Sequence, residues 1–372
     1  LSFVLPFFSA INPSVDMTIG LGGFSARGPR AELEARYALK NNSFGNANFY
    51  YMYDTTVVGY THRWNVNLAQ TQHLPFHLVE KFNFREISDN IYSYTGAPDS
   101  PVNDATLASS LSLEFDSSII GGYAALLQYR NLLNTSPSMT DLERRVKWDP
   151  RTVQVYPRVQ LTSNDARPFG GPVAFGATVG FDNFTRFASE NFDSFASLTP
   201  GVYRPGFDPL RRARRFSFTP TVYTSFRPFD LFSITPSVQY RAYYYNFDPA
   251  AATLWRGYPV FQADLYAQIE RVFDLENKDR PRMKHLVRPT LTYSFIPQAW
   301  ISEDTAHPFI QQIKYAQGIG LSGFNFDSQD LVPIFSSPNA RNYIVPIGNS
   351  LTYGLRSQWI FLRHIKTLEA GS

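Results

Sequence analysis

The feature that most constrains this chain is a hydrophobic period of two, recurring in stretches of about ten residues. In "RFSFTPTVYTSF", Phe216, Phe218, Val222 and Phe226 fall on one face, and Ser217, Thr219, Thr221, Tyr223 and Ser225 on the other. The same alternation runs through residues 234–242, 261–269 and 287–295. It also fits 15–21, 33–39, 45–53, 58–68, 76–84, 107–115, 123–129, 153–161, 173–181 and 351–355. This predicts an all-β antiparallel chain of roughly fourteen strands, each of about the ten residues that cross a bilayer when tilted. Segments such as "SARGPR", "KNNSFGN" and "SNDARPFGGP" supply the turns. No amphipathic helix longer than ten residues is expected, and "SMTDLERRVKWD" is the best short candidate.

Such alternation suits either a soluble sandwich or a membrane barrel. Three observations favour the barrel. Sandwich strands average about 5–6 residues, shorter than these. Aromatics, 16% of the chain, gather near expected strand ends in "NFYYMYD", "YRAYYYNFD" and "FNFREI", where interfacial girdles sit. Lys81, Arg85, Arg158, Arg241 and Glu270 fall on the polar face, as a wet lumen permits. The expected fold is therefore a transmembrane β-barrel, with residues 1–372 forming one partial barrel domain. The chain opens at Leu1 with no signal-peptide pattern, as a segment cut from a longer protein would.

The remaining chemistry is sparse. Charged residues make up only 17% and the net charge of +3 gives no case for nucleic acid. There is no Cys, so thiolate metal sites and disulfides are excluded. None of the six His has metal-ligand spacing, and Pro75 breaks any helix that would join His73 to His77. "GIGLSG" at 318–323 matches G-x-G-x-x-G, but "FNFDSQDLVPIFSSP" after it cannot form the helix that a dinucleotide site requires. Neither an enzyme, a cofactor nor a metal is expected. "RRARR" at 211–215 (Arg211, Arg212, Arg214 and Arg215) is the strongest charge cluster. It reads as a solvated rim or as a phosphate contact at the membrane surface, and the two are compatible.

Four segments, in order, resemble the lipopolysaccharide-assembly LptD (OstA/Imp) family. Leu5, Pro6, Phe7, Phe8, Ile11, Pro13, Asp16, Thr18 and Ile19 resemble the family's first barrel segment. "ERVF" from Glu270, "HLVRPTLTYSFIP" from His285 and "NYIVPIGNSLTYGLRS" from Asn342 resemble later ones. Departures are Val272 for the family's Asp, Arg288 for its acidic residue, and Leu21 where a second Pro is usual. The resemblance implies an outer-membrane translocon that delivers lipopolysaccharide to the outer leaflet. It implies a lateral gate at the first strands, here Pro6, Pro13, Gly20, Leu21, Gly22 and Gly23. It also implies an LptE-like plug lipoprotein and an LptA-like periplasmic bridge as partners. This chain would be roughly the first half of the barrel. The alternatives are a porin-like channel or receptor in the same membrane, or a soluble carbohydrate-binding β protein.

Overall fold

The computed structural model describes residues 1–57, 59, 61–92, 105–134, 139–168, 170–186, 210–228, 232–248, 253–274, 282–319, 325–333 and 348–362. Its strands are β1 (Ser2–Asn12), β2 (Val15–Phe24), β3 (Gly28–Ala38), β4 (Phe44–Tyr53), β5 (His62–Leu74), β6 (Leu78–Ile87), β7 (Thr106–Asp116), β8 (Ile120–Asn131), β9 (Val153–Ser163), β10 (Val173–Arg186), β11 (Arg212–Thr224), β12 (Phe232–Asp248), β13 (Leu254–Ala267), β14 (Ile269–Asp274), β15 (Arg282–Phe295), β16 (Ser302–Glu303) and β17 (Asn349–Leu362). Each strand from β1 to β12 pairs antiparallel with the next. β13 and β14 then pair with β15, and β15 with β17. All seventeen strands lie in one sheet. Among the described residues no pairing joins β1 to β17, so the sheet is open. β1 and β17 run in the same direction.

The strand count exceeds the expected fourteen for local reasons. β14 keeps the register of β13 against β15, and the break lies beside Pro289, which has no N–H for the ladder. β16 is a two-residue pairing onto Arg256 and Gly257. β5 begins at His62 rather than 58, because Gly59 turns the chain at φ 84°. β6 begins at Leu78, after Phe76 and His77 make the turn at φ 63° and 59°.

The connections are unequal. At the Asn12 end they are residues 13–14, 39–43, 75–77, 117–119, 164–172, 225–231 and 275–281. At the Leu1 end they are 25–27, 54–61, 88–105, 132–152, 187–211, 249–253 and 296–348. Among the described residues two α-helices lie in the longer set. Helix α1 (Asp141–Val146) occupies the predicted "TDLERRV" stretch, with Thr140 and Glu143 closing a capping box. Helix α2 (Pro308–Ile319) corrects the expectation that no helix exceeds ten residues. Pro308 opens it, the His307 ring caps the Phe309 N–H at 3.2 Å, and Phe309, Ile310, Ile313 and Ala316 form its buried stripe.

The stripe of α2 packs on one face of β9–β13, against Val155, Phe184, Tyr243, Tyr245, Phe247 and Tyr258. This face is called inner. A smaller inner cluster joins Tyr50, Met52, Ile87, Tyr92, Leu107 and Leu132 near the Leu1 end. The opposite, outer face is apolar and uncovered. Phe216, Phe218 and Val222 on β11, Val238, Tyr240 and Tyr244 on β12, and Val179 on β10 are all exposed there. The aromatic runs divide between the faces: in "YYYNF", Tyr243, Tyr245 and Phe247 are buried inside while Tyr244 points out.

Two backbone bonds fix the phase of the first ladders. Ser25 N–H donates to Leu1 O at 3.0 Å, and Ala38 N–H donates to Ser14 O at 2.9 Å. Bonded pairs alternate in an antiparallel ladder. Odd residues of β1 and β2 therefore bond each other, even residues of β2 bond β3, and even residues of β1 face the open edge. At the other edge Ile296 N–H donates to Gly348 O at 2.7 Å. Even residues of β17 thus bond β15, and its odd residues face outward from the sheet edge. Hydrogen exchange on this chain in detergent should show the pattern. Amides of Val4, Phe8, Leu351, Tyr353 and Leu355 should exchange faster than those of Leu5, Phe7, Thr352 and Gly354. Equal protection would refute the assigned phase.

Candidate functional site

The open edge at β1 carries the residues singled out in the first segment. Pro13 lies in the β1–β2 turn, whereas Pro6 sits in mid-strand opposite Gly20. As an even residue of β1, Pro6 directs its nitrogen away from β2. The donor that proline lacks is therefore missing from the open edge, and the β1–β2 ladder loses nothing. Gly22 allows a close backbone approach, since a Cβ there would lie 2.0 Å from the Phe3 carbonyl oxygen. Gly20 leaves room for the Glu32 side chain, which a Cβ would meet at 2.5 Å. Leu21 is half exposed on the outer face, and Gly23 pairs with Phe3 and Pro29. Phe3, Leu5 and Phe7 project from the same face, each about 60% exposed.

The inner face holds a second cluster that the sequence did not reveal. Arg158, Asp182, Arg215 and Tyr245 are successive cross-strand partners on β9, β10, β11 and β12. Arg215 is fully buried and uses all five of its N–H donors. Two go to Asp182 at 3.2 and 2.6 Å, two to Asp327 at 2.7 Å each, and one to Asp330 at 2.9 Å. Phe184 and Tyr243 stack on its guanidinium at 4.8 and 5.7 Å. Asp330 also accepts from Tyr245 Oη at 2.8 Å and from the Phe326 N–H at 2.6 Å. Burial disfavours ionisation of both loop carboxyls. Arg215 outweighs it at Asp327 and holds that group below the usual carboxylate range, while burial and the Asp327 charge push Asp330 up.

Arg215 is thus neither a solvated rim residue nor free to take a phosphate. The alternation of β11 separates the "RRARR" cluster. Arg212 and Arg214 are exposed beside Phe216, and the Arg211 carbonyl accepts from the Arg186 N–H at 2.8 Å. Of the expected polar-face residues, Arg158 is enclosed in the cluster, bonded to Asp182 and to Asp327 at 3.3 Å. The others take local partners. Lys81 pairs with Glu114 at 2.6 Å, Arg241 donates to Gln239 at 2.7 Å, and Glu270 pairs with Lys284 at 2.8 Å. Arg85 stands across from Asn67. A recess on the inner side of β2–β5 is lined by Thr18, Glu32, Glu34, Asn48, Tyr50 and Asn65. Among the described residues no group of His, Asp and Glu is arranged to hold a metal. α2 ends within the "GIGLSG" motif, at Gly318 and Ile319, and the motif's residues 320–323 lie outside the described set.

At the Leu1 end, Asp54 joins three connections. It accepts from Arg27 Nε at 3.1 Å, from Arg63 at 3.3 Å and from Thr56 N–H at 3.0 Å, and Arg63 continues to Asp89 at 3.1 Å. Burial alone would raise the Asp54 pKa. Arg27 and Thr56 outweigh it and hold the carboxyl well below its ordinary range. The folded state is then the stronger acid, so its contribution is complete above about pH 4 and vanishes as pH falls further. Asp54→Asn should cost about 1.5–3 kcal/mol at pH 7. In denaturant unfolding the gap from the parent should close below about pH 4. A gap independent of pH would contradict this role.

Neither a scan against protein-family models nor a search of curated proteins finds a match for this chain.

Proposed function

We propose that this chain forms the first part of an outer-membrane barrel of the LptD type, in which the β1 edge is one lip of a seam that releases lipopolysaccharide sideways into the membrane. The observation that carries the reading is the position of Pro6. A strand closing against β1 meets one donor fewer at mid-membrane depth, where water cannot replace it. Gly20 and Gly22 add a second weakening, in β2, where small residues let the backbones approach. The ordered resemblance of four segments to the LptD family gives this edge its substrate. On this reading a plug lipoprotein and a periplasmic bridge are the partners.

The sheet's two faces support a membrane setting. Phe232 and Tyr244 are exposed aromatics toward the two ends of the outer face of β12. Twelve steps of about 3.3 Å along a strand tilted by about 45° give roughly 28 Å of height, close to the ~25 Å apolar band of such barrels. The outward residues between them, Ile234, Pro236, Val238, Tyr240 and Ala242, carry no charge.

A second reading, another outer-membrane channel or receptor, is favoured by one observation. Short turns ordinarily face the periplasm. That rule puts the Leu1 end outside, whereas an LptD-type barrel is entered from a periplasmic domain that precedes β1. Labelling decides between them. Leu142 is exposed at the Leu1 end, and Leu142→Cys in the full-length protein should resist an impermeant maleimide on intact cells. Labelling there would favour the other channel. In the same protein Pro6→Val restores an edge donor and should slow the appearance of lipopolysaccharide at the surface. Unchanged delivery would remove the seam from β1.

A further inference from the structure

Part of the connection between β15 and β17 is packed against the sheet. Its described parts, α2 and residues 325–333, lie against the inner face of β9–β13, and every strand of that wall grips it. Arg158 and Arg215 hold the Asp327 and Asp330 carboxylates. Arg186 donates to Asn325 O at 2.9 Å, and Arg256 to the carbonyls of Asp330 and Leu331 at 2.7 and 2.9 Å. Tyr245 completes the set from β12. Phe326 stacks on Phe184 at 5.1 Å and on Phe309 of α2 at 5.5 Å. Arginines therefore take both the loop's charges and its backbone carbonyls, inside an apolar jacket that excludes competing water.

The rest of the inner face is different. Along β2–β7, apart from the apolar cluster of Tyr50, Met52, Ile87 and Leu107 near the Leu1 end, the inward side chains are largely polar and partly open. Arg36, Lys81 and Glu34 are about half exposed, and the recess around Glu32, Asn48 and Asn65 is uncovered.

We infer that residues 302–319 and 325–333 form a fixed plug built into the β9–β13 wall, and that whatever passes through or occupies the interior does so along β2–β7, beside the β1 edge. The plug stays docked during transport. A gate that opened here would strip Arg215 of two carboxylates, Asp327 and Asp330, and leave it only Asp182 while still beside Phe184 and Tyr243. The inference rests on the membrane-barrel reading but not on the identity of the cargo.

Two measurements on the full-length protein test it. In the first, Phe184→Cys and Phe326→Cys are bridged by a short bifunctional maleimide, which ties the plug to the wall. Surface delivery of lipopolysaccharide should match that of the unbridged double variant; loss of delivery on bridging would overturn a fixed plug. In the second, Arg215→Met should loosen the plug. Ion conductance of the purified protein in planar bilayers should rise several-fold, with delivery retained. Should Arg215→Met fail to assemble, Arg256→Gln removes the two donors to loop carbonyls and the ion pair with Glu303, leaves the Asp327–Asp330 cluster in place, and should give a smaller rise. An assembled variant with parental conductance would overturn the plug. Because conductance is read without lipopolysaccharide, failure of the cargo assignment leaves the second measurement intact.

Discussion

A strand can satisfy its backbone only against a neighbour, and the rest of this structure depends on that requirement. With one face apolar and open, the sheet has no second layer to bury it, so the ladder itself must supply order. It does so from β1 to β17 with few interruptions, and those are legible. Pro289 splits what would be one strand into β13 and β14. Pro6 is tolerated because its nitrogen faces no partner in this sheet. The same residue type is thus disruptive in one place and harmless in the other, according to the phase of the ladder.

The inner face solves a different problem. Arginines on neighbouring strands would repel one another if left alone in a confined space. They are instead interleaved with Asp182 and with carboxylates carried in by the 325–333 loop. Desolvation makes such a cluster expensive unless every donor is used, and at Arg215 every donor is used. Its value is positional: only one docking of the loop places Asp327 and Asp330 around one guanidinium. The aromatic jacket of Phe184, Tyr243 and Phe326 then fills the space that charges leave.

Most of the strands were legible in the sequence, because a two-residue period needs no knowledge of partners. Three things were not. The helix 308–319 was hidden because its apolar residues, Phe309, Ile310, Ile313 and Ala316, follow a helical period inside a chain dominated by another. The fate of "RRARR" was half visible: Arg215 shares parity with Ser217 and Thr219, the polar face, and Arg214 shares parity with Phe216. That parity assigns a face, but only the register brings Asp182 and Tyr245 beside it. Asp327 and Asp330, more than a hundred residues away in sequence, carried no local signal at all.

The direction of the two free strands has a topological consequence. β1 and β17 both descend from the Leu1 end toward the Asn12 end. Zipping them together directly would create a parallel seam, the sole such pair in an otherwise alternating sheet. A second copy placed alongside in the same orientation fares no better, since each of its edges also descends. Closure that keeps strict up-and-down alternation needs an odd number of ascending and descending strands between β17 and β1, beginning and ending with an ascending one. A sheet closed in that way would hold an even number of strands, whatever its circumference.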